Sequence, residues 1–234
     1  MRIPSRALPV LAALVTAAAS SVQAQAARSD AGSVTEIRDN RFKWFFGASA
    51  GAMLFETPAQ TQTGVPSLGA HIAIVSRRAG LMLGVDEAFG NEESTGFIDS
   101  GSGGIARSLT FNRLRRYQFN MTGYPVRGSL QPYLGVGFGL LQVINPQFGE
   151  NEVFSSPQEA AGSAGAARDI SATGFMSLLG GVQFRVGRMA AFGQYQITSS
   201  PSAGNLLRGP GHSLMGGLRF SLGSSKEGVR GGGY

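Results

Sequence analysis

Apolar and polar residues alternate with period two in eight separate segments, and this pattern constrains the chain more than any other feature. Successive side chains of an extended strand point to opposite faces, so each segment has one apolar face and one polar or small face. The first segment sets Phe42, Trp44, Phe46, Ala48, Ala50, Ala52 and Leu54 against Lys43, Gly47, Ser49 and Gly51, although Phe45, Met53 and Phe55 also fall on the second face. The second sets Leu68, Ala70, Ile72 and Ile74 against Ser67, Gly69 and His71, and the third sets Leu81, Leu83 and Val85 against Gly84 and Asp86. Tyr117, Phe119 and Met121 oppose Arg116, Gln118 and Asn120 in the fourth. Leu134, Val136, Phe138 and Leu140 oppose Tyr133 and three glycines in the fifth. The sixth sets Met176, Leu178, Val182 and Phe184 against Ser177, Gln183 and Arg185. The seventh (189–197) alternates less cleanly, and the eighth sets Leu214, Leu218, Phe220 and Leu222 against Ser213, Gly217 and Arg219.

The segments match the ~9–11 residues that a tilted membrane strand needs. Connections alternate in length: 77–80, 125–131 and 187–188 are short, whereas 55–66, 89–107, 145–170 and 199–211 are long and polar. Short turns at one end and long loops at the other are the habit of bacterial outer-membrane barrels. The expected fold is therefore all-β: an eight-stranded antiparallel up-and-down transmembrane β-barrel over residues 41–222. A soluble calycin-type barrel would show the same alternation with the faces inverted. The membrane reading is favoured because one face carries almost no charge at mid-strand and only 15% of the chain is charged.

The stretch from Arg116 to Leu141 resembles the fourth and fifth strands of small outer-membrane barrels of OmpA/OmpX type. There a polar strand, a short turn and a Pro-Tyr-hydrophobic-Gly-x-Gly-x-Gly strand follow one another, matched here by Pro132, Tyr133, Gly135, Gly137 and Gly139. The segment Leu214 to Leu222 is similar to their closing strand. The chain departs from the family in continuing past Leu222 as a glycine-rich tail. The resemblance implies a Gram-negative outer-membrane location, partnership with membrane lipid and lipopolysaccharide, and insertion by the barrel-assembly machinery.

The N-terminus fits export to that location. Arg2 and Arg6 precede an apolar stretch from Ala7 to Ala19, followed by small-x-small sites that place cleavage after Ala24 or Ala26. Residues 1–24 are thus expected to be a signal peptide and 25–40 a periplasmic segment, where Ser33 and Glu36 match a capping box. The tail, 223–234, is expected in the periplasm.

On the barrel reading, Lys43, His71, Asp86, Arg116, Gln118, Gln183, Arg185 and Arg219 should form a polar network in the lumen, its charges joined by salt bridges. Trp44, Phe46, Ile72, Leu83, Phe119, Phe138, Leu178, Phe184, Leu218 and Phe220 should face lipid. Glycines and serines on the inner face relieve crowding in so narrow a barrel, and a filled interior argues against an open pore.

Chemistry is sparse in the sequence. The net charge of +6 falls to +4 without Arg2 and Arg6, and no basic stripe interleaved with aromatics indicates nucleic-acid binding. Cysteine is absent, and neither histidine has a second ligand at metal spacing, so no cofactor or metal is expected. His212 and Ser213 are adjacent and so point to opposite faces of a strand, which does not suit the nucleophile–base pair of a lipid-modifying barrel enzyme. The leading expectation is a non-catalytic structural or surface-interaction barrel. Its acidic long loops, with Glu56, Glu87, Glu92, Glu93, Asp99, Glu150, Glu152, Glu159 and Asp169, would be the contact surface for an extracellular partner that the sequence does not identify. A lipid-modifying enzyme and a narrow small-solute pore are the alternatives.

Overall fold

The computed structural model describes residues 41–226 apart from 77, 127 and 203. The expected signal peptide, the 25–40 segment with its capping box, and the end of the tail (227–234) lie outside the described residues. The strands are β1 (Arg41–Glu56), β2 (Thr63–Val75), β3 (Ala79–Asp99), β4 (Ile105–Gly123), β5 (Leu130–Ile144), the two-residue β6 (Gln147–Phe148), β7 (Ala172–Val186), β8 (Met189–Thr198) and β9 (Arg208–Lys226). A helix, α1 (Pro157–Asp169), follows β6. Apart from β6, which only extends the β4 edge, each strand pairs antiparallel with its sequence neighbour, and β9 returns to β1. The sheet closes into an eight-stranded barrel.

Closure has a measurable stagger. Followed across paired residues, Leu54 leads through His212, Ile197, Leu178, Val136, Met121, Leu81 and Ile74 back to β1 at Trp44, ten residues from its start. With eight strands, that shear tilts each strand by about 40° from the barrel axis at ordinary strand spacings. The interior is then only wide enough for side chains.

Two bulges explain why the sequence places several boundaries wrongly. On β3, Phe89 pairs with Arg113 but Glu93 pairs with Phe111, so three residues oppose one. Inward positions are even-numbered from Gly80 to Ala88 and odd-numbered from Glu93 to Asp99. The slip interrupts the alternation, so the expected loop 89–107 is a long hairpin whose connection spans only 100–104. The second bulge lies on β9, where Leu54 pairs with His212 but Glu56 pairs with Arg208, so three residues oppose Phe55; the loops 55–66 and 199–211 shorten to 57–62 and 199–207. The long polar connection 145–170 that follows the fifth segment contains α1. Ser156 caps that helix by accepting from the Glu159 N–H, and Pro157 starts it. Beyond Leu222, Gly223–Lys226 pair with Trp44–Arg41, so the closing strand continues into what the sequence presents as tail.

At the opposite end the connections are tight. Gly187, at φ 58°, and Arg188 alone join β7 to β8, a conformation that glycine adopts without steric cost.

Candidate functional site: a filled lumen and a capped loop end

The lumen is layered. At the turn end Phe45, Ala73, Val75, Met82, Tyr124, Tyr133 and Leu179 form an apolar plug. At the loop end Met53, Phe55, Phe97, Leu109, Phe111, Val143 and Phe175 form a second one, reached by Ala167 of α1 and by Leu206 and Leu207 of the last loop. This accounts for Phe45, Met53 and Phe55, which break the polar face of the first segment: they stopper the two ends.

A polar belt lies between the plugs. Arg116 donates from Nε and Nη2 to Asp86 Oδ2 at 3.0 and 2.9 Å, and from Nη1 to the Ser213 hydroxyl at 3.1 Å. Gln118 donates to the same carboxylate oxygen at 2.6 Å and accepts from Gln196 at 2.9 Å. Nearer the turn end, Arg219 donates to His71 Nε2 at 2.9 Å and to Gln183 Oε1 at 3.1 Å, and Gln183 passes a bond on to Gln131. His71 accepts through Nε2, so this nitrogen carries no proton.

Of the lumen residues named from sequence, His71, Asp86, Arg116, Gln118, Gln183 and Arg219 are buried in the belt. Two are placed differently. Lys43 is exposed on β1 near the turn end, at the rim of the barrel where it pairs with Val75 and Ser224. Arg185 is half-buried, with its guanidinium over the Phe45 ring. The expected salt-bridge network also shrinks to one pair among the described lumen residues, Asp86–Arg116. Arg219 is stabilised by aromatic faces instead, its guanidinium carbon 4.1 Å from the Phe192 centroid and 5.6 Å from that of Tyr133. The space left between Ser49, His71, Asp86, Arg116 and Phe192 is about 10 Å³, roughly one water at most.

Glycines make this density possible. A Cβ at Gly217 would overlap the Ala48 carbonyl oxygen and meet the Phe192 ring, and one at Gly139 would overlap the Tyr117 carbonyl and meet Phe175.

Outside, Trp44, Phe46, Ile72, Leu83, Phe138, Leu178, Phe184, Leu218 and Phe220 are exposed, and Phe119 is half-buried against Phe138. Together with Met121 and Tyr195 they form a band that crosses every barrel strand. Trp44, Phe46 and Phe220 stand toward the turn end, Tyr117 and Tyr195 toward the loops.

The loop end holds a site that sequence reasoning missed. Arg107, buried at the tip of β4, donates to Asp99, Glu152 and Glu159 and lies over the Phe154 ring. Ser163 of α1 donates to Asp99, so the helix is fastened across the barrel mouth by both ends of this cluster. The bond from Ser163 holds the Asp99 carboxyl below its ordinary range, and the Ser155 N–H does the same for Glu159. Asp99, Glu152 and Glu159 are therefore internal partners and not free loop charges, and Glu87 is held by Arg113 and Arg115. Among the acidic loop residues, Glu92, Glu150 and Asp169 are exposed. The only sequence signal for the cluster was a lone arginine amid acidic loops, and the partners lie up to 52 positions apart.

His212 and Ser213 face opposite ways. Ser213 is fully buried under Arg116, whereas His212 Nδ1 lies 2.8 Å from the outward Tyr195 hydroxyl.

The chain has the fold of a small, closed, eight-stranded outer-membrane-type barrel. Among solved structures it is similar to Neisserial surface protein A, at 12% identity over 76% of this chain and 96% of that one, with a TM-score of 0.47. It is also similar to the outer membrane enzyme PagL, at 11% identity over 75% of this chain and 98% of that one, with a TM-score of 0.39. No protein-family model and no curated protein matches the chain. At such identities neither neighbour's activity transfers, and closure of the sheet itself defines the fold.

Proposed function

We propose that this protein is an exported outer-membrane barrel that acts through its outer surface and capped loop end, without catalysis and without a conducting lumen. The observation that carries the reading is the exposed apolar band running round all eight barrel strands. Soluble proteins rarely expose contiguous apolar patches beyond a few hundred Å², and a closed barrel leaves no unpaired backbone to lipid. The aromatic residues flanking the band at both ends fit the girdles of such barrels.

Lumen packing supports the non-conducting part. Two apolar plugs flank a hydrogen-bonded belt whose cavity beside Asp86 and Arg116 measures about 10 Å³. The non-catalytic part is supported by Ser213, which is engaged inside the lumen while His212 is engaged outside it. The test is fractionation of producing cells, with gel migration compared before and after boiling. Outer-membrane recovery and a heat-dependent shift are expected. Recovery in the soluble periplasmic fraction with no shift would overturn the proposal, and a lipid A acyl chain lost or added on overproduction would overturn its non-catalytic part.

A further inference from the structure

On the outer surface, just beyond the apolar band toward the loops, Arg113 and Arg115 project from β4. Glu87 of β3 accepts from both guanidiniums, from Arg115 at 2.9 and 3.1 Å and from Arg113 at 3.5 Å. One carboxylate shared by two arginines leaves a net positive charge and several N–H groups pointing into solvent. Directly adjoining Arg113 is a polar cleft of about 370 Å³ formed where the β3 bulge, β4 and the β5–β6 connection meet. The amides of Asn91, Asn112, Asn145 and Gln147, the Thr110 hydroxyl and the Glu92 carboxylate line it, so the cleft itself suits hydroxyls and the phosphate belongs on the arginines beside it. On the other side of the arginines, toward mid-barrel, the same strands present Tyr117, Leu140, Phe119 and Phe138 as a continuous apolar face.

We propose that this face of β3–β5 is a binding site for a phosphorylated glycolipid of the outer leaflet, the chemical class of lipopolysaccharide. The guanidiniums hold a phosphate, the amides hold sugar hydroxyls, and the acyl chains lie on the aromatic face below. Arginine suits the phosphate because its planar fork donates two parallel bonds, which a single ammonium does not. Glu87 is a positioning residue that keeps both side chains flat on the surface. A free sugar phosphate would satisfy the upper half of the site but not the apolar face, which therefore points to a lipid. The inference rests on the outer-membrane reading above and adds to it the residues that would hold such a lipid and their address on the barrel.

The test uses detergent-solubilised full-length protein and native mass spectrometry. The probes are bisphosphorylated lipid A, the same lipid without phosphates, and soluble glucosamine phosphate. Wild type and Arg188→Gln, altered at the opposite end, are expected to retain bisphosphorylated lipid A. Arg113→Gln/Arg115→Gln should retain it at least about tenfold less, as expected for loss of charge-assisted bonds. Gln147→Glu, an exposed change that sets a second carboxylate beside Glu92 in the cleft, should weaken it as well. Equal retention by the variants, retention indifferent to the phosphates, or equally tight binding of soluble glucosamine phosphate would overturn the inference. Heat-dependent migration is read on each preparation. A wild type soluble without detergent and lacking the shift sinks the outer-membrane reading itself, whereas a shifting barrel that ignores lipid A sinks only the site.

Discussion

Asp86 shows how much a single inward side chain carries. It accepts from Arg116 twice and from Gln118 once, in a belt with almost no room for water. Removing one partner of a buried ion pair strands the other, at about 3–5 kcal/mol. Arg116→Ala should therefore lower the urea midpoint of the detergent-refolded barrel far more than Ser177→Ala, which loses one hydroxyl bond to Asn120 worth about 0.5–1.5 kcal/mol. Similar midpoints for the two variants would show that the belt contributes little. Outward, Leu178 is 59% exposed at mid-strand. Leu178→Arg should cost about 2–4 kcal/mol of stability in a bilayer and reduce surface expression. Tolerance equal to that of Ser177→Ala would mean that the exposed face does not meet lipid.

The helix α1 depends on the Arg107 cluster more than on its own sequence. Thirteen residues with two internal glycines are marginal as an isolated helix. Only Ser163 and Ala167 are buried along it, so the bonds through Asp99 and Glu159 keep it docked. Arg107→Met should free the 149–170 segment for proteolysis while the barrel keeps its heat-dependent shift. Unchanged cleavage would show that the helix is held otherwise. The carboxyls of Asp99 and Glu159 are depressed in the folded state, so their contribution is complete above the ordinary carboxylate range and declines as pH falls through the folded values. Hydrogen exchange of α1 amides should then report a docked helix from neutral pH down to about 5, with loosening only below about 4. Release between pH 7 and 5 would contradict this assignment.

For the molecule as a whole, eight strands and a ten-residue stagger set the radius, and the radius sets what the lumen can be. A barrel this narrow is filled by its own side chains, and here the apolar plugs seal both ends of the polar belt. Purified protein in planar bilayers is accordingly expected to show no steady single-channel conductance. A stable ohmic conductance abolished by filling the mouth near Phe97 would require the plugs to part.

The period-two pattern makes the strand count, the antiparallel meander and the identity of the two faces legible in the chain, because side-chain direction in a strand is a purely local property. The six buried belt residues could be named for the same reason: Asp86, Arg116 and Gln118 sit on the polar face of their strands whatever they touch. Local information ends where the phase slips. The bulge between Phe89 and Glu93 interrupts the alternation, so a paired hairpin reads as a loop. Pairing between residues distant in sequence is invisible to periodicity, so it is the closed barrel that sets Arg107 against Glu159 and leaves Arg219 to Phe192 and Tyr133 instead of a carboxylate. Lys43 shares the polar face of its strand but stands near the barrel's end. Whether a position of given parity is buried depends on how far along the axis the stagger carries it, and only closure of the sheet sets that distance.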